Sequence, residues 1–163
     1  MIELPSNAAL IIVDVQKGFD DPKWGRRNNP EAESNIQKLL DAWRRSRMPV
    51  FYIQHCSQVA GSPLRPGTTG NEIKEIVAPS NEEPIITKTV NSAFIGTDLE
   101  AQLKGKNIET LVVVGMTTDH CVSTTARMAG NMGFEVYVVS DATPHSTVQD
   151  QTGNSTKLRK FTP

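Results

Sequence analysis

Three residues of this chain carry side chains suited to hydrolysis through a covalent intermediate: a thiol at Cys121, a carboxylate at Asp14 and an ammonium at Lys88. A thiol becomes a nucleophile when a base takes its proton and a neighbouring cation steadies the ion pair. Asp14 follows the apolar run Leu10, Ile11, Ile12, Val13, and Lys88 ends the run Ile85, Ile86, Thr87. Cys121 comes after the apolar residues 111–114 and the turn Gly115, Met116, Thr117, Thr118, in the first turn of the helix expected next. There the unpaired backbone N–H groups and the helix dipole favour a thiolate and can hold an oxyanion. Taken singly, these are an Asp bonded to its own loop, a surface lysine and a small buried hydrophobe. Together, an acid, a cation and a thiol fall at the ends of three predicted strands, and that coincidence favours chemistry.

The elements that must position them alternate. Runs rich in β-branched residues at 8–15, 111–114 and 136–139 read as buried strands of a parallel sheet, and 50–53 and 84–87 share their character. Between the first two, Ile36, Leu39, Leu40 and Trp43 repeat at helical spacing, with Asn29 placed to cap and Pro30 suited to the first turn. Thr97 and Glu100 have capping-box spacing ahead of a helix bearing Leu99 and Leu103 and stopped by Gly105. Val122, Ala126 and Ala129 line one side of a third helix. The alternation predicts an α/β fold, a three-layer doubly wound sheet with five parallel strands and its ligand site at their carboxyl ends. The stretch 54–71, with Gly61, Pro63, Pro66, Gly67 and Gly70, is long and lacks apolar periodicity, and reads as a functional flap. Residues 1–163 read as one domain, with 143–163, polar and aperiodic, as a loose tail.

The 17 Lys and Arg nearly cancel the 18 Asp and Glu, for a net charge of -1, and no basic patch interleaves with aromatics. Nucleic acid is excluded as a partner on that ground, and the apolar runs are too short to span a membrane. No leader precedes the first strand, so a cytoplasmic protein acting on a small molecule is expected, with Cys56 and Cys121 as reduced thiols.

The same residues carry a resemblance. The stretches Asp14-Val15-Gln16-Lys17-Gly18-Phe19, Lys88 followed by Ser92-Ala93-Phe94, and Gly115-Met116-Thr117-Thr118-Asp119-His120-Cys121-Val122-Ser123-Thr124-Thr125 resemble, in order, the three signatures of the isochorismatase-like cysteine hydrolases. The resemblance implies strand order 3-2-1-4-5, an Asp-Lys-Cys triad at Asp14, Lys88 and Cys121, and a cis peptide from Met116 to Thr117. It implies an oxyanion site at the N–H groups of Thr117 and Cys121. The implied reaction is cleavage of an amide-type C–N bond through a Cys121 thioester. Family members that open the vinyl ether of isochorismate can lack the cysteine. Its presence here favours C–N chemistry, with vinyl-ether hydrolysis or a catalytically idle binding module as alternatives. Phe19, Trp24, His55 and Phe94 lie near the signatures and are candidates for contact with substrate.

Two departures from the family pattern matter. Nicotinamidases of this family carry an Asp-x-His metal element where this chain has Ile53, Gln54 and His55, so no metal and no cofactor are expected. His55 with Ser57, Gly61-Ser62-Pro63-Leu64 and Pro66-Gly67-Thr68 looks instead like metal-free members related to streptothricin hydrolase. His120 adjoins Cys121, but neighbouring helix residues diverge, so no Cys-His dyad is expected. The short polar end suggests that the sixth, edge strand of the family is absent, leaving the fifth bare and predicting a homo-oligomer.

Overall fold

The β-branched runs become strands, of which the two central ones are buried on both faces. In a computed structural model, which describes residues 3–144 and 158–161, β1 (Ala9–Val13) lies between β2 (Val50–His55) and β4 (Thr110–Gly115). β3 (Ile85–Lys88) pairs outside β2, and β5 (Glu135–Val139) outside β4, all parallel. This is the expected order 3-2-1-4-5. Because side chains alternate along a strand, Ile11 and Val13 enter one core layer and Leu10 and Ile12 the other. α1 (Ala32–Arg45) closes one face with Ile36, Leu40 and Trp43. α2 (Leu99–Gly105) and α3 (Ser123–Asn131) close the opposite face with Leu99, Leu103, Ala126 and Ala129. Each large aliphatic side chain so buried contributes about 1.5–3 kcal/mol, enough to hold the strand ends in fixed register. No helix among the described residues is long and apolar enough to cross a membrane.

Three local expectations are corrected. α1 starts at Ala32, not beside Asn29, whose φ of 47° is left-handed where a capping residue needs extended backbone. The Asn29 amide instead donates to Ser140 O at 2.7 Å, 111 residues away in sequence. Thr97 forms no capping box with Glu100, because its hydroxyl donates to Ala93 O at 2.6 Å and the helix begins one residue after Asp98.

The third correction concerns the edge. A sixth strand, β6 (Leu158–Phe161), runs antiparallel along β5, with Val139 opposite Leu158 and Val136 opposite Phe161. The sequence Leu-Arg-Lys-Phe has neither β-branched residues nor period-two alternation, so its pairing is a matter of backbone hydrogen bonds that pattern does not reveal. The bare β5 edge behind the expectation of an oligomer is therefore covered. Of the tail, residues 145–157 and 162–163 lie outside the described residues.

Candidate active site

Asp14 is the first residue beyond β1 and has a φ of 52°, a region uncommon outside glycine and tolerated best by Asn and Asp. Its N–H donates to Ile53 O at 2.9 Å and its carbonyl accepts from Gln16 N at 2.8 Å, a tight reversal that turns the carboxylate back over the sheet end. On the other side of β1, β4 ends in Gly115 with a φ of 122°. A Cβ there would sit 1.9 Å from Val13 O, so only glycine allows β4 to close on β1. Met116 N then donates to Val13 O at 2.8 Å, and the peptide from Met116 to Thr117 is cis. A single π-helical turn, Thr118–Val122, follows and carries Cys121 before α3 begins. Lys88 ends β3 in register with His55 of β2, and its long side chain crosses the end of β2 to reach the centre.

These placements converge on one ammonium group. Lys88 Nζ lies 2.8 Å from Asp14 Oδ2, 3.3 Å from Cys121 Sγ, 3.1 Å from His55 Nδ1 and 3.1 Å from Val90 O. The Asp14 and Lys88 side chains are fully buried, and Cys121 is 7% exposed. An ammonium only donates, so His55 Nδ1 accepts and the imidazole proton sits on Nε2. Burial and the Lys88 charge lower the His55 pKa to about 4, so the ring is neutral. Burial raises the Asp14 carboxyl above its ordinary 3.8 against the pull of Lys88. Burial and then the Asp14 charge push the Cys121 thiol up to about 12, although Lys88 draws it down.

The last direction corrects the expectation of a standing thiolate. The helix-terminus argument omits two larger effects, loss of water around sulfur and a carboxylate beside it. The resting site holds a neutral thiol next to an Asp–Lys pair, and Asp14 Oδ1 is buried without a hydrogen-bond partner. Among the described residues the Thr117 N–H also makes no hydrogen bond.

Of the other candidates, Phe19 and Trp24 come together. Their rings are 5.3 Å apart on two short 3-10 turns, and with Arg27, Met116 and Thr117 they line a narrow crevice. Those turns are anchored by the buried Lys74, whose Nζ donates to Asp20 at 2.6 Å and to Glu33 at 2.7 Å, while Arg27 grips Glu33 with two bonds. Burial works to raise Glu33, but the bonds from Arg27 and Lys74 outweigh it and hold the carboxyl at about 2. Phe94 is not in the crevice, since it stacks on Phe134 at 6.1 Å inside the core. His120 points outward toward Asp119, with two thirds of its side chain exposed.

Sequence reasoning missed the polar groups behind the site. Gln16 is fully buried, accepts from His55 N at 2.9 Å, and donates to His55 O at 3.0 Å and Asn71 O at 2.8 Å. Asn71 donates to His55 O and Leu64 O, each at 2.9 Å, and Gln54 donates to Asn71 O at 2.9 Å. The stretch read as a flap is thus tied at both ends to β2, with residues 58–61 and 65–69 exposed between the buried Ser57 and Leu64 and the tie at Asn71. The available signal was Gln16 itself, two positions after Asp14 within the first signature. Asp14, His55 and Cys121 offer ligand atoms within 4.8 Å of one another, a donor set that suits zinc. Lys88 Nζ, bonded to all three, already supplies a cation among them.

Comparison with known proteins gives the family. The Isochorismatase domain family model matches residues 8–162. Uncharacterized isochorismatase family protein YrdC of Bacillus subtilis is 59% identical over 143 residues, covering 88% of this chain and 76% of that protein. Nicotinamidase 3 of Arabidopsis thaliana is 30% identical over 83% of this chain and 72% of its own length. Streptothricin hydrolase of Streptomyces noursei is 31% identical over 85% of this chain and 49% of its own length. The crystal structure of a putative hydrolase of the isochorismatase family from Chromobacterium violaceum superposes with a TM-score of 0.86 at 39% identity. It covers 98% of this chain and 81% of that one.

Proposed function

Since this chain belongs to the isochorismatase family of hydrolases, we propose that it cleaves an amide-type C–N bond of a small molecule through a thioester on Cys121. The observation that carries this reading is the single ammonium of Lys88 bonded to both Asp14 Oδ2 and Cys121 Sγ at the sheet end. Relatives named nicotinamidase and streptothricin hydrolase support it.

With the thiol at about 12, little thiolate stands ready, so proton transfer to Asp14 accompanies attack of sulfur on the carbonyl carbon. The developing oxyanion takes hydrogen bonds from the N–H groups of Thr117 and Cys121. Lys88 offsets negative charge wherever it lies, first on Asp14 and then on sulfur. When the C–N bond breaks, the nitrogen recovers the proton from Asp14 and leaves as an amine. Asp14 then draws a proton from water as its oxygen attacks the thioester. The acid departs and the thiol is restored. Crevice residues Phe19 and Trp24 hold the acyl group, and His55, bonded to Lys88, faces the same site.

The experiment is a screen of small amides, ureides and lactams with wild-type, Cys121→Ala and Cys56→Ala proteins. Cys121→Ala is expected to fold, by circular dichroism, and to lose on the order of a thousandfold or more in turnover, while Cys56→Ala loses little. Mass spectrometry should trap the acylated Cys121. Near wild-type turnover by Cys121→Ala would remove the thioester route, and hydrolysis of isochorismate that survives loss of the thiol would put vinyl-ether hydrolysis in its place. Two free thiols, one of them partly exposed, fit a reducing cytoplasm. Self-association now rests on the open β3 edge, where Ile85 is 45% exposed, and sedimentation showing only monomer at micromolar concentration would remove it.

A further inference from the structure

The loop after β3 presents one polar side chain that this reaction leaves unused. Asn91 is exposed, yet its Oδ1 lies 3.8 Å from Cys121 Sγ. Lys88, Asp14 and Asn91 are the side chains beside that sulfur; Lys88 and Asp14 are buried and Asn91 faces solvent. The loop is clamped on both sides of Asn91. Val90 O accepts from Lys88 Nζ at 3.1 Å, and Ala93 N donates to the buried Thr125 Oγ1 of α3 at 3.1 Å. The buried Ser92 Oγ accepts from Phe94 N at 3.2 Å. Asn91 is thus fixed to the strand that carries Lys88 and to the helix that follows Cys121, so its amide keeps its distance from the nucleophile. In the resting site Sγ donates to Asn91 Oδ1, so that oxygen faces the sulfur, and once the thiol proton has moved to Asp14 the oxygen is free to accept from another donor.

A carbonyl carbon poised for attack lies about 3–3.5 Å from sulfur. With its oxygen directed to the Thr117 and Cys121 amides, such a carbonyl can turn its leaving group to the solvent-facing side of the sulfur, where Asn91 stands. An amide nitrogen offers that oxygen a hydrogen, whereas an ester or vinyl-ether oxygen offers only lone pairs. We propose that Asn91 determines leaving-group specificity: its Oδ1 accepts a hydrogen bond from the scissile N–H of a primary amide or ureide, selecting these over oxygen esters. This rests on the cysteine-hydrolase reading above. As the C–N bond breaks and the nitrogen takes the proton from Asp14, positive charge grows on nitrogen and the bond to Oδ1 strengthens, so selection acts in the transition state.

The test compares wild type with Asn91→Leu, which keeps the branched shape without the polar atoms, and Asn91→Ala. Substrates are the best primary amide or ureide from the screen and the para-nitrophenyl ester of the same acyl group. The ratio of amide to ester kcat/KM is expected to fall about ten- to a hundredfold in both variants, the size of one charge-assisted hydrogen bond. An unchanged ratio overturns the proposal, whether both rates fall together or neither does. Cys121→Ala, run in parallel, separates the two levels. If it retains amide turnover, the thioester reading fails and this inference with it; if it is inactive and the ratio holds, only the role of Asn91 fails.

Discussion

A buried thiol beside a carboxylate should be slow toward alkylation, and the structure gives the scale. A thiol moved from 9.0 to about 12 goes from roughly 3% to roughly 0.003% thiolate at pH 7.5, a decrease of about a thousandfold. Iodoacetamide should therefore modify the partly exposed Cys56 first and Cys121 at least about a thousandfold more slowly than an unfolded control. The informative variant is Asp14→Asn. It leaves burial, the largest cause of the shift, but removes the neighbouring negative charge and frees Lys88 to pair with sulfur. Alkylation of Cys121 should then quicken, on the order of ten- to a hundredfold, while turnover falls by about a thousandfold or more because the base is gone. Opposite changes in reactivity and turnover distinguish a base from a group that only shapes the pocket. Rates are read by mass spectrometry of the two cysteine peptides against time. Wild-type Cys121 alkylating as fast as Cys56, or slower alkylation in Asp14→Asn, would refute this account of the site.

Three further outcomes follow from the same geometry. Gly115→Ala should cost at least about 3 kcal/mol in urea unfolding, since its Cβ would overlap Val13 O; a variant of wild-type stability would mean that β4 can close differently. Stability should fall on acidification in two windows, because the unfolded chain binds more protons than the folded one between pH 6.5 and about 4 at His55, and between 4.5 and about 2 at Glu33. His55→Gln should flatten only the upper window of the urea midpoint against pH, and an unaltered profile would remove His55 as its cause. Dialysis against a strong chelator should leave turnover intact, because Lys88 Nζ supplies the cation among Asp14, His55 and Cys121; activity lost and then restored by zinc would contradict that.

Much was legible before any coordinates. Val, Ile and Leu in short runs can bury both faces only inside a parallel sheet, so β1, β4 and β5 were marked by composition, and the ends of three runs marked Asp14, Lys88 and Cys121. Those are local properties, each settled within a few residues of chain. The partners of those residues were not local. Lys88 meets Asp14 across 74 positions and Cys121 across 33, and nothing in either neighbourhood specifies the distance. Phe94 went to the core and Phe19 to the crevice because of which elements packed over them, although both lie beside signatures. β6 depended on backbone bonds to a strand about 20 residues earlier, which side-chain pattern does not record. Gln16, Asn71 and Asn91 gain meaning only from what they bond. The protonation of Cys121 was decided last and furthest from sequence: a helix terminus predicts a thiolate, but burial and a carboxylate brought in from β1 reverse the sign. Sequence fixes which groups are available along the chain; solvent exclusion and through-space charge, which exist only once the sheet is assembled, determine the state in which they wait.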